Sequence, residues 1–478
     1  MTIVTRFYDK QLSEDVVFRN VWTPNFRSRL LPSGKTVVTT NAAGGWLLIS
    51  NDEHRALQSI SIPESLFEAV EEAQIVLTKR NARAFADAYE LWSSPHIRHP
   101  THHIIITTLR CNLSCGYCHA QVVPANAGTK YDLTPDTGRA IVAFALNSEA
   151  PAQHFEFQGG ESLLASTTLK FLVEHIRAQY ADTSKGVSIS VQTNGTLLSQ
   201  EWMRFFEQHG VSVGTSLDGP GQANNASRRL NSGREAYSHI KSQADRFGIP
   251  TLPTINRANI NNWRQLLDTH IASNRSDTAV LNPVYPINFA AKNWATVGIE
   301  WDDFLTMYSD ACDYLRTKWS PEHYPLERRL RLALAKLLRG RDTDFSDFGA
   351  PCGMVHSQIA YHTNGDIYTC DEGRDFVEFR IGNVKEDTYD EVVFGAKTRA
   401  LKSLSIPNDA ECQTCAYRPF CSACPAYDHA KTGLLSGTSA GGDKCKQTKL
   451  IYDRIFSWIE EDPQAVSEAA ASHGIIDA

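Results

Sequence analysis

The 478-residue sequence predicts an α/β protein whose central element is a parallel sheet, either open or curved into a partial (β/α)6 barrel. Two observations lead to this prediction. Strand-like and helix-like segments alternate repeatedly between residues 101 and 320. A cluster of cysteines follows directly on the first of these strands, where parallel sheets carry their functional groups.

The composition is that of a globular protein. Hydrophobic residues make up 42% and charged residues 21% of the chain, which excludes wholesale disorder. The 47 Lys and Arg against 54 Asp and Glu give a net charge of −7, whereas nucleic-acid binders carry a basic surface. No apolar run reaches the ~18 residues of a membrane span, and MTIVTRFYDK has no signal-peptide core. We therefore expect a cytoplasmic protein with neither nucleic-acid nor membrane partners.

The first hundred residues predict a small module. Two β-branched or aromatic runs flank Asn-Ala-Ala-Gly-Gly within residues 36–49, which is typical of a hairpin. Asn51 is expected to cap the helix that follows, and helical patterns cover residues 64–76 and 81–93. A hairpin followed by helices indicates a winged-helix-like module; an irregular N-terminal extension is the alternative.

The middle of the chain predicts βα units and a parallel sheet with right-handed crossovers. Six strands are too few to close an eight-stranded barrel. The expected strands cover residues 103–108, 154–158, 187–193, 211–217, 251–255 and 279–285.

The last third of the chain predicts helices and a cysteine-rich segment. Residues 301–340 predict two long helices, the second with a solvated basic face. Residues 450–461 predict a final amphipathic helix. We therefore expect three regions: a recognition-type module at 1–100, a partial barrel at 101–320, and a helical bridge with the cysteine-rich domain at 321–478.

The eleven cysteines point to metal or redox chemistry, because a reducing compartment disfavours disulfides. The sequence CNLSCGYC places Cys111, Cys115 and Cys118 on one short loop after the first strand. Three thiolates suit an iron–sulfur cube that keeps one iron open, whereas structural zinc needs a closed set of four ligands. Zinc with His119 as its fourth ligand is the alternative.

This loop resembles that of the radical SAM superfamily. The resemblance implies a partial TIM-like barrel with a [4Fe–4S] cluster on Cys111, Cys115 and Cys118. It also implies that S-adenosylmethionine binds the open iron and yields a 5′-deoxyadenosyl radical that abstracts a substrate hydrogen. Arg229 is the alternative to Arg228 as a contact for the cofactor's carboxylate, and Asp218 is otherwise a turn cap. The cofactor-binding residues that the resemblance implies are Tyr117, Gly159, Gly160, Glu161, Asn194, Ser216, Asp218 and Arg228.

The later cysteines resemble the SPASM extension of radical SAM peptide-modifying enzymes, which carries two auxiliary [4Fe–4S] clusters. The expected total is therefore three clusters, and a pair of zinc sites is the alternative. The first auxiliary set lacks a fourth cysteine; Cys312 is a candidate, although a core position inside a helix fits it better. The resemblance assigns Cys352, Cys370 and Cys424 to the first auxiliary cluster, and Cys412, Cys415, Cys421 and Cys445 to the second.

Asp371 directly follows Cys370 and matches the position of the proposed catalytic base in sulfatase-maturing members of the family. A base beside an electron-accepting cluster suits chemistry in which a substrate radical loses a proton and an electron. The alternative is an acidic residue in an exposed turn.

The strings TLRCNLSCGYC, FEFQGGESLL and IYTCDEGR look most like maturases of His-Xaa-Ser systems and related three-residue cyclophane-forming enzymes. That resemblance implies an oxidoreductase that cross-links a ribosomally synthesised precursor peptide, with a leader that adds a strand to the N-terminal module. It also implies a flavodoxin- or ferredoxin-type reductant. The alternatives are a sulfatase-type formylglycine maturase and a non-catalytic multi-cluster electron-transfer protein.

Overall fold

The computed structural model describes residues 27–59, 62–78, 80–93, 98–274, 277–340, 348–435 and 440–477. Residues 1–26 of the expected N-terminal module therefore lie outside the described residues. No helix in the described ranges combines the length and the apolar character needed to cross a bilayer.

The N-terminal module is a three-stranded antiparallel sheet followed by three helices, so the expected hairpin gains a strand. The first helix is capped by Ser50 rather than Asn51. The Ser50 hydroxyl accepts a hydrogen bond from the Glu53 N–H (3.2 Å), and the Glu53 carboxylate accepts one from the Ser50 N–H (2.8 Å). This reciprocal box satisfies two helix-end donors. The elements are β1 (Arg27–Leu30), β2 (Thr36–Thr40), β3 (Trp46–Ser50), α1 (Asn51–Gln58), α2 (Glu64–Glu72) and α3 (Ala82–Ser93).

The central region is the expected alternation of strands and helices, and its parallel strands lie in the order β10-β9-β8-β7-β4. The elements are β4 (His102–Thr108), β5 (Arg110–Cys111), β6 (Val123–Pro124), α4 (Pro135–Leu146), β7 (Ala152–Gly159), α5 (Ser166–Tyr180), β8 (Gly186–Thr193), α6 (Gln200–His209), β9 (Val211–Ser216), α7 (Gly221–Ser227), α8 (Tyr237–Phe247), β10 (Thr251–Leu252), β11 (Thr254–Ile255), α9 (Trp263–Asn274), β12 (Thr278–Ala279) and β13 (Asn282–Pro283).

The fifth expected strand is broken at Pro253. β10 pairs with β9, whereas β11, on the other side of the proline, pairs with β13. Proline has no N–H to donate to a ladder, so the chain leaves the main sheet at this point. The sixth expected strand is likewise two short pieces, β12 and β13. The barrel is therefore partial and does not close among the described residues.

The C-terminal region extends the same sheet, because β15 pairs in parallel with β4. The sheet thus crosses the expected boundary between residues 320 and 321. The elements are α10 (Phe289–Lys292), α11 (Trp294–Val297), α12 (Trp301–Arg316), β14 (Leu326–Glu327), α13 (Arg328–Arg339), β15 (Gln358–Tyr361), β16 (Asp366–Tyr368), β17 (Arg380–Asn383), α14 (Tyr389–Val393), α15 (Ala396–Leu404), α16 (Ala410–Thr414), α17 (Pro425–Thr432), α18 (Asp443–Glu461) and α19 (Pro463–Ser472).

The expectation of a solvated basic face on α13 is wrong. Arg329 and Lys336 are both buried. Arg329 Nη1 donates to the Leu281 carbonyl (2.8 Å), and Lys336 Nζ donates to the Phe348 carbonyl. Buried cations need hydrogen-bond acceptors, and backbone carbonyls outside α13 supply them here.

The N-terminal module docks on the C-terminal region. Arg29 of β1 makes two hydrogen bonds to the Asp453 carboxylate, each 2.7 Å long. Trp46 Nε1 donates to the Leu337 carbonyl (3.1 Å), and Thr40 donates to the Ala416 carbonyl (2.7 Å). The module therefore contacts the cysteine-rich loop that follows α16.

Candidate active site

The loop of Cys111, Cys115 and Cys118 lies at the carboxyl end of β4 and is fixed by the segment after α7. The Ser114 N–H donates to the Arg229 carbonyl (2.9 Å), and the Gly116 N–H donates to the Ser227 carbonyl (3.2 Å). These backbone bonds fix the position of the loop relative to residues 227–229.

The three thiols form one group. Burial raises the pKa of Cys111 to about 12 and raises the pKa values of Cys115 and Cys118, and each thiol interacts electrostatically with another member of the group. Buried thiols of this kind become thiolates only when a positive ion compensates their charge. Three converging thiols beside a cavity therefore fit a cluster with one iron left open.

The backbone of Gly159 and Gly160 packs directly against the backbone of β4 and β5, which lead into the cysteine loop. A Cβ on Gly159 would lie 2.3 Å from the Thr108 carbonyl oxygen, and one on Gly160 would lie 2.3 Å from the Arg110 carbonyl oxygen. Gly159 also has a φ of +148°, which favours glycine. Both residues also line the cavity beside the cysteines, so any side chain at either position would push the backbone that leads into the cysteine loop.

Glu161 lies behind this glycine wall and is fully buried. Its carboxylate accepts hydrogen bonds from the Thr193 hydroxyl (2.7 Å), the Asn194 N–H (2.7 Å) and the Leu163 N–H (3.0 Å). Asn194 in turn places its Nδ2 3.9 Å from the Cys111 sulfur. In this structure Glu161 therefore positions Asn194 next to the cysteine loop.

Tyr117, Asp218 and Arg228 form a buried group on the opposite wall. Asp218 accepts hydrogen bonds from the Tyr117 hydroxyl and from Arg228 Nε (2.9 Å), and the Arg228 guanidinium lies 5.2 Å from the centre of the Tyr117 ring. Tyr117 and Arg228 line the cavity, whereas Asp218 supports them from behind. Of the two candidate arginines, Arg228 is buried and lines the cavity, whereas Arg229 is exposed.

The cavity has two connected lobes. One, of about 300 Å³, contains the three cysteines together with Asn194 and Ser216; the other, of about 320 Å³, extends toward β4 and β7. Each lobe is within the usual size of a small-molecule site, about 300–1,000 Å³. Tyr117 and Asp371 line both lobes.

Asp371 lies in this cavity and not in an exposed turn. Arg374 Nη1 donates to Asp371 Oδ1 (2.5 Å), and His119 Nε2 lies 3.3 Å from Asp371 Oδ2. Burial alone would raise the pKa of Asp371, but the Arg374 guanidinium and His119 hold it well below the ordinary value. The carboxylate is therefore ionised at neutral pH, and the ion pair makes it a weaker base than a free aspartate.

The floor of the second lobe is polar. Ligand atoms of His102, His154 and Glu156 lie within 4.8 Å of one another. The two His154 nitrogens lie 2.8 Å from the Ser188 and Ser190 hydroxyls, and His102 Nε2 lies 3.2 Å from Glu156. His102 and Glu156 line the second lobe, and His154 lies beside them.

Cys352, Cys370 and Cys424 come together at a pocket below β15 and β16. They line the same pocket, and both other thiols raise the pKa of Cys370, on which burial acts most strongly. The structure thus places Cys424 with this set.

The four remaining cysteines of the C-terminal region form the second auxiliary set. Burial, together with the thiols of Cys445, Cys415 and Cys412, raises the pKa of Cys421 to about 12. Four thiols fit a fully ligated cluster. Cys312 belongs to neither set, because it is buried in the core with Tyr308, near Glu327.

Two functional residues were missed by the sequence analysis. Arg374 is the ion-pair partner of Asp371, and it also donates to the Gln158 side chain (2.9 Å). Its spacing of three residues from Asp371 was a usable signal. His119 was considered only as a zinc ligand; its contact with Asp371 spans 252 residues of chain and has no local signature.

Comparisons with known proteins agree with this arrangement. Residues 105–248 match the Radical SAM superfamily, and residues 352–416 match SPASM, an iron-sulfur cluster-binding domain. The cysteine-type anaerobic sulfatase-maturating enzyme of Clostridium perfringens is 25% identical over 328 residues, which cover 65% of this chain and 84% of that enzyme. The serine-type enzyme of Bacteroides thetaiotaomicron is 23% identical over 354 residues, covering 67% and 81%.

Two solved structures share the fold. Native anSMEcpe with bound AdoMet and Cp18Cys peptide superposes with a TM-score of 0.64 at 19% identity, covering 77% of this chain and 99% of that one. Streptococcus suis SuiB bound to precursor peptide SuiA gives a TM-score of 0.52 at 14% identity, covering 88% and 99%. The chain therefore contains a radical SAM domain followed by a SPASM domain, and the expected partial-barrel fold is confirmed.

Proposed function

We propose that this protein is a radical SAM peptide maturase that oxidises a ribosomally synthesised precursor peptide and joins an aromatic ring carbon to the β-carbon of a nearby residue. The observation that carries the proposal is one cavity lined both by the first cysteine loop and by Asp371. A two-electron oxidation needs a place where a hydrogen atom is removed and a place where a proton is accepted. Both lie within this cavity.

The chain's residues fit the required cofactors. Cys111, Cys115 and Cys118 would hold the first cluster, and the two auxiliary cysteine sets would hold one cluster each. When bound, these clusters and S-adenosylmethionine supply a 5′-deoxyadenosyl radical for hydrogen abstraction and an acceptor for the second electron.

The cavity wall would orient S-adenosylmethionine. Gly159 and Gly160 form part of the wall of the lobe that contains the three cysteines, and they let the backbone pack closely on Thr108 and Arg110. Arg228 offers a cation to the cofactor's carboxylate, while Ser216 and Asn194 line the same lobe. Glu161 and Asp218 hold these groups in position through the hydrogen bonds described above, and Tyr117 gives an aromatic wall.

Forming the cross-link removes two hydrogens from the peptide, one as an atom and one as a proton with its electron. Asp371 would take the proton because its side chain lines both lobes of the cavity. Arg374 and His119 hold the carboxylate in place. In this proposal the carboxylate acts after hydrogen abstraction.

The N-terminal module would bind the leader of the precursor. Within the described ranges, β1 and β3 pair only with β2, so each leaves an outer edge to which a peptide strand can add. We further propose that the enzyme works in the cytoplasm with a flavodoxin- or ferredoxin-type reductant.

A second candidate is sulfatase-type oxidation of Cys or Ser to formylglycine, which is favoured by the two sulfatase-maturating relatives. That chemistry also needs hydrogen abstraction and a base, so the same cavity residues would serve. The two candidates differ in product, since only formylglycine carries an aldehyde.

Incubation of anaerobically reconstituted protein with dithionite and S-adenosylmethionine tests the shared premise. We expect 5′-deoxyadenosine; its absence would leave only the non-catalytic electron-transfer hypothesis. Co-expression with the peptide encoded beside this gene tests the product. A peptide lighter by two hydrogen atoms that does not react with a hydrazide probe supports the cross-link, whereas hydrazide labelling supports formylglycine.

A further inference from the structure

The first auxiliary cysteine set is one thiol short of a complete ligand set. All eleven cysteines of the chain lie within the described ranges. Ten belong to the three sets described above, and Cys312 is enclosed in the hydrophobic core. The protein thus offers no further thiol to this site.

The pocket beside Cys352, Cys370 and Cys424 contains one carboxylate among its described lining residues, that of Glu372. Glu372 follows Cys370 by two positions. Its side chain lines the same pocket as the thiols of Cys352, Cys370 and Cys424. An anionic oxygen therefore accompanies the three thiols.

The pocket also contains cations that suit an anionic ligand set. Lys336 and Lys444 both line it. Lys444 Nζ donates to the Tyr285 hydroxyl (2.7 Å). Two ammonium groups next to three thiolates and a carboxylate reduce the cost of burying so much negative charge.

Asp371 and Glu372 are adjacent but differ in surroundings. Asp371 is tied to Arg374 and His119 in the active-site cavity. Glu372 lines both that cavity and the auxiliary pocket, as do Tyr285 and Gln358. The Glu372 carboxylate therefore belongs to the wall between the substrate cavity and the cluster pocket.

We infer that the Glu372 carboxylate is the fourth protein ligand of the first auxiliary [4Fe–4S] cluster. The inference rests on the proposed function, because it presupposes that three clusters are bound. A carboxylate is a hard ligand that iron accepts alongside thiolates. A cluster completed in this way can accept an electron from the neighbouring cavity, but it has no open iron with which to bind the peptide.

The test uses full-length, anaerobically reconstituted holoenzyme and spectroscopy instead of turnover. Wild type, Glu372→Gln, Glu372→Ala and Glu372→Cys are compared by iron content and by redox titration followed by electron paramagnetic resonance. Glu378→Gln is the matched control, because Glu378 lies on the same segment outside the pocket and pairs with His429. Cyanide serves as the probe for an open iron.

We expect the Glu372 substitutions to change the electron paramagnetic resonance signal of one auxiliary cluster and to leave that of the other unchanged. Glu372→Gln removes a negative ligand and should move one midpoint potential to a more positive value, because cluster potentials depend on net charge. Glu372→Ala should bind cyanide at an auxiliary cluster that does not bind it in wild type. Glu372→Cys should keep the iron content of wild type with an altered signal, and Glu378→Gln should match wild type.

Three other outcomes are informative. Loss of about four irons per chain in Glu372→Ala, with iron retained in Glu372→Cys, would also support a ligand role. Unchanged potentials in all three Glu372 variants, with cyanide binding to an auxiliary cluster of wild type, would overturn the inference and leave the proposed function intact. Wild-type iron near about eight per chain would overturn the three-cluster premise itself.

Discussion

The cysteine loop at the mouth of the barrel and the auxiliary cysteine sets bring their thiols together in different ways. The loop collects three thiols within eight residues and is fixed by backbone hydrogen bonds to residues 227 and 229. The auxiliary sets collect thiols from residues 352 to 445, on separate elements that must first pack together. We therefore expect the loop to keep its conformation when the first cluster is lost, and the auxiliary sets to couple metal binding to folding.

The largest expected effect is that a substitution in the cysteine loop abolishes 5′-deoxyadenosine formation and leaves the stability of the protein unchanged. Cys115→Ala should abolish 5′-deoxyadenosine formation because the first cluster loses a ligand. The thermal midpoint should change little, since the loop keeps its backbone bonds. Chromatography of the nucleoside and calorimetry check both parts. Cys312→Ala removes a cysteine from the core only, and we expect it to retain nucleoside formation.

Removal of an auxiliary ligand should instead lower stability while some 5′-deoxyadenosine formation survives. Cys421→Ala should lower the thermal midpoint by about 5 °C or more, because metal binding contributes to the folding of this region. Product should be lost, while some 5′-deoxyadenosine formation survives. Calorimetry alongside mass spectrometry of the peptide checks this. A variant with wild-type stability would show that the second auxiliary cluster is not a folding element.

Asp371 sharpens the comparison because it lies where the two regions meet. Asp371→Asn should retain 5′-deoxyadenosine formation but slow product formation by about 100-fold or more, as expected for loss of a general base. The ratio of nucleoside to product is the measurement, and nucleoside formation is its internal control. Product at the wild-type rate would remove Asp371 from the mechanism.

The smallest expected effect concerns the seam between β4 and β15. His103 Nδ1 lies 2.9 Å from the Tyr361 hydroxyl across this seam, and burial lowers the pKa of His103 to about 3. An unfolded histidine takes up a proton below about pH 6.5, so the neutral buried form loses stability as the pH falls, by about 2 kcal/mol at pH 5.

The measurement is the thermal midpoint of wild type and of His103→Phe, each at about pH 7 and about pH 5. Phenylalanine keeps the ring that stacks on Phe155 and cannot be protonated. The midpoint of the variant should fall less between the two pH values. An equal fall in both proteins would assign the acid sensitivity to other groups.

The same contrast explains how much of the molecule was predictable. The thiols at 111–118, the glycines after β7 and the strand alternation are local patterns, and the structure contains them. The joining of β15 to β4 was not predictable, because it depends on pairing between residues more than 250 positions apart. The buried Arg329 and Lys336 were mistaken for a solvated face, because composition does not reveal which carbonyls lie nearby.

Within the site, the sequence likewise did not reveal which side chains contact each other. The sequence indicated Asp371, but not that His119 and Arg374 would hold its carboxylate. Glu161 was expected at the cofactor, whereas its three hydrogen bonds join it to the chain after β8 and to the turn after β7. Side-chain partners of this kind are set by tertiary packing.

The central claim is that the barrel-mouth loop carries a cluster whose open iron binds S-adenosylmethionine. Electron nuclear double resonance on reduced holoenzyme, with S-adenosylmethionine labelled by ¹⁷O and ¹⁵N in its amino-acid part, tests this most directly. We expect hyperfine coupling to both labels, present in wild type and absent in Cys115→Ala. A wild-type spectrum without such coupling would contradict the claim.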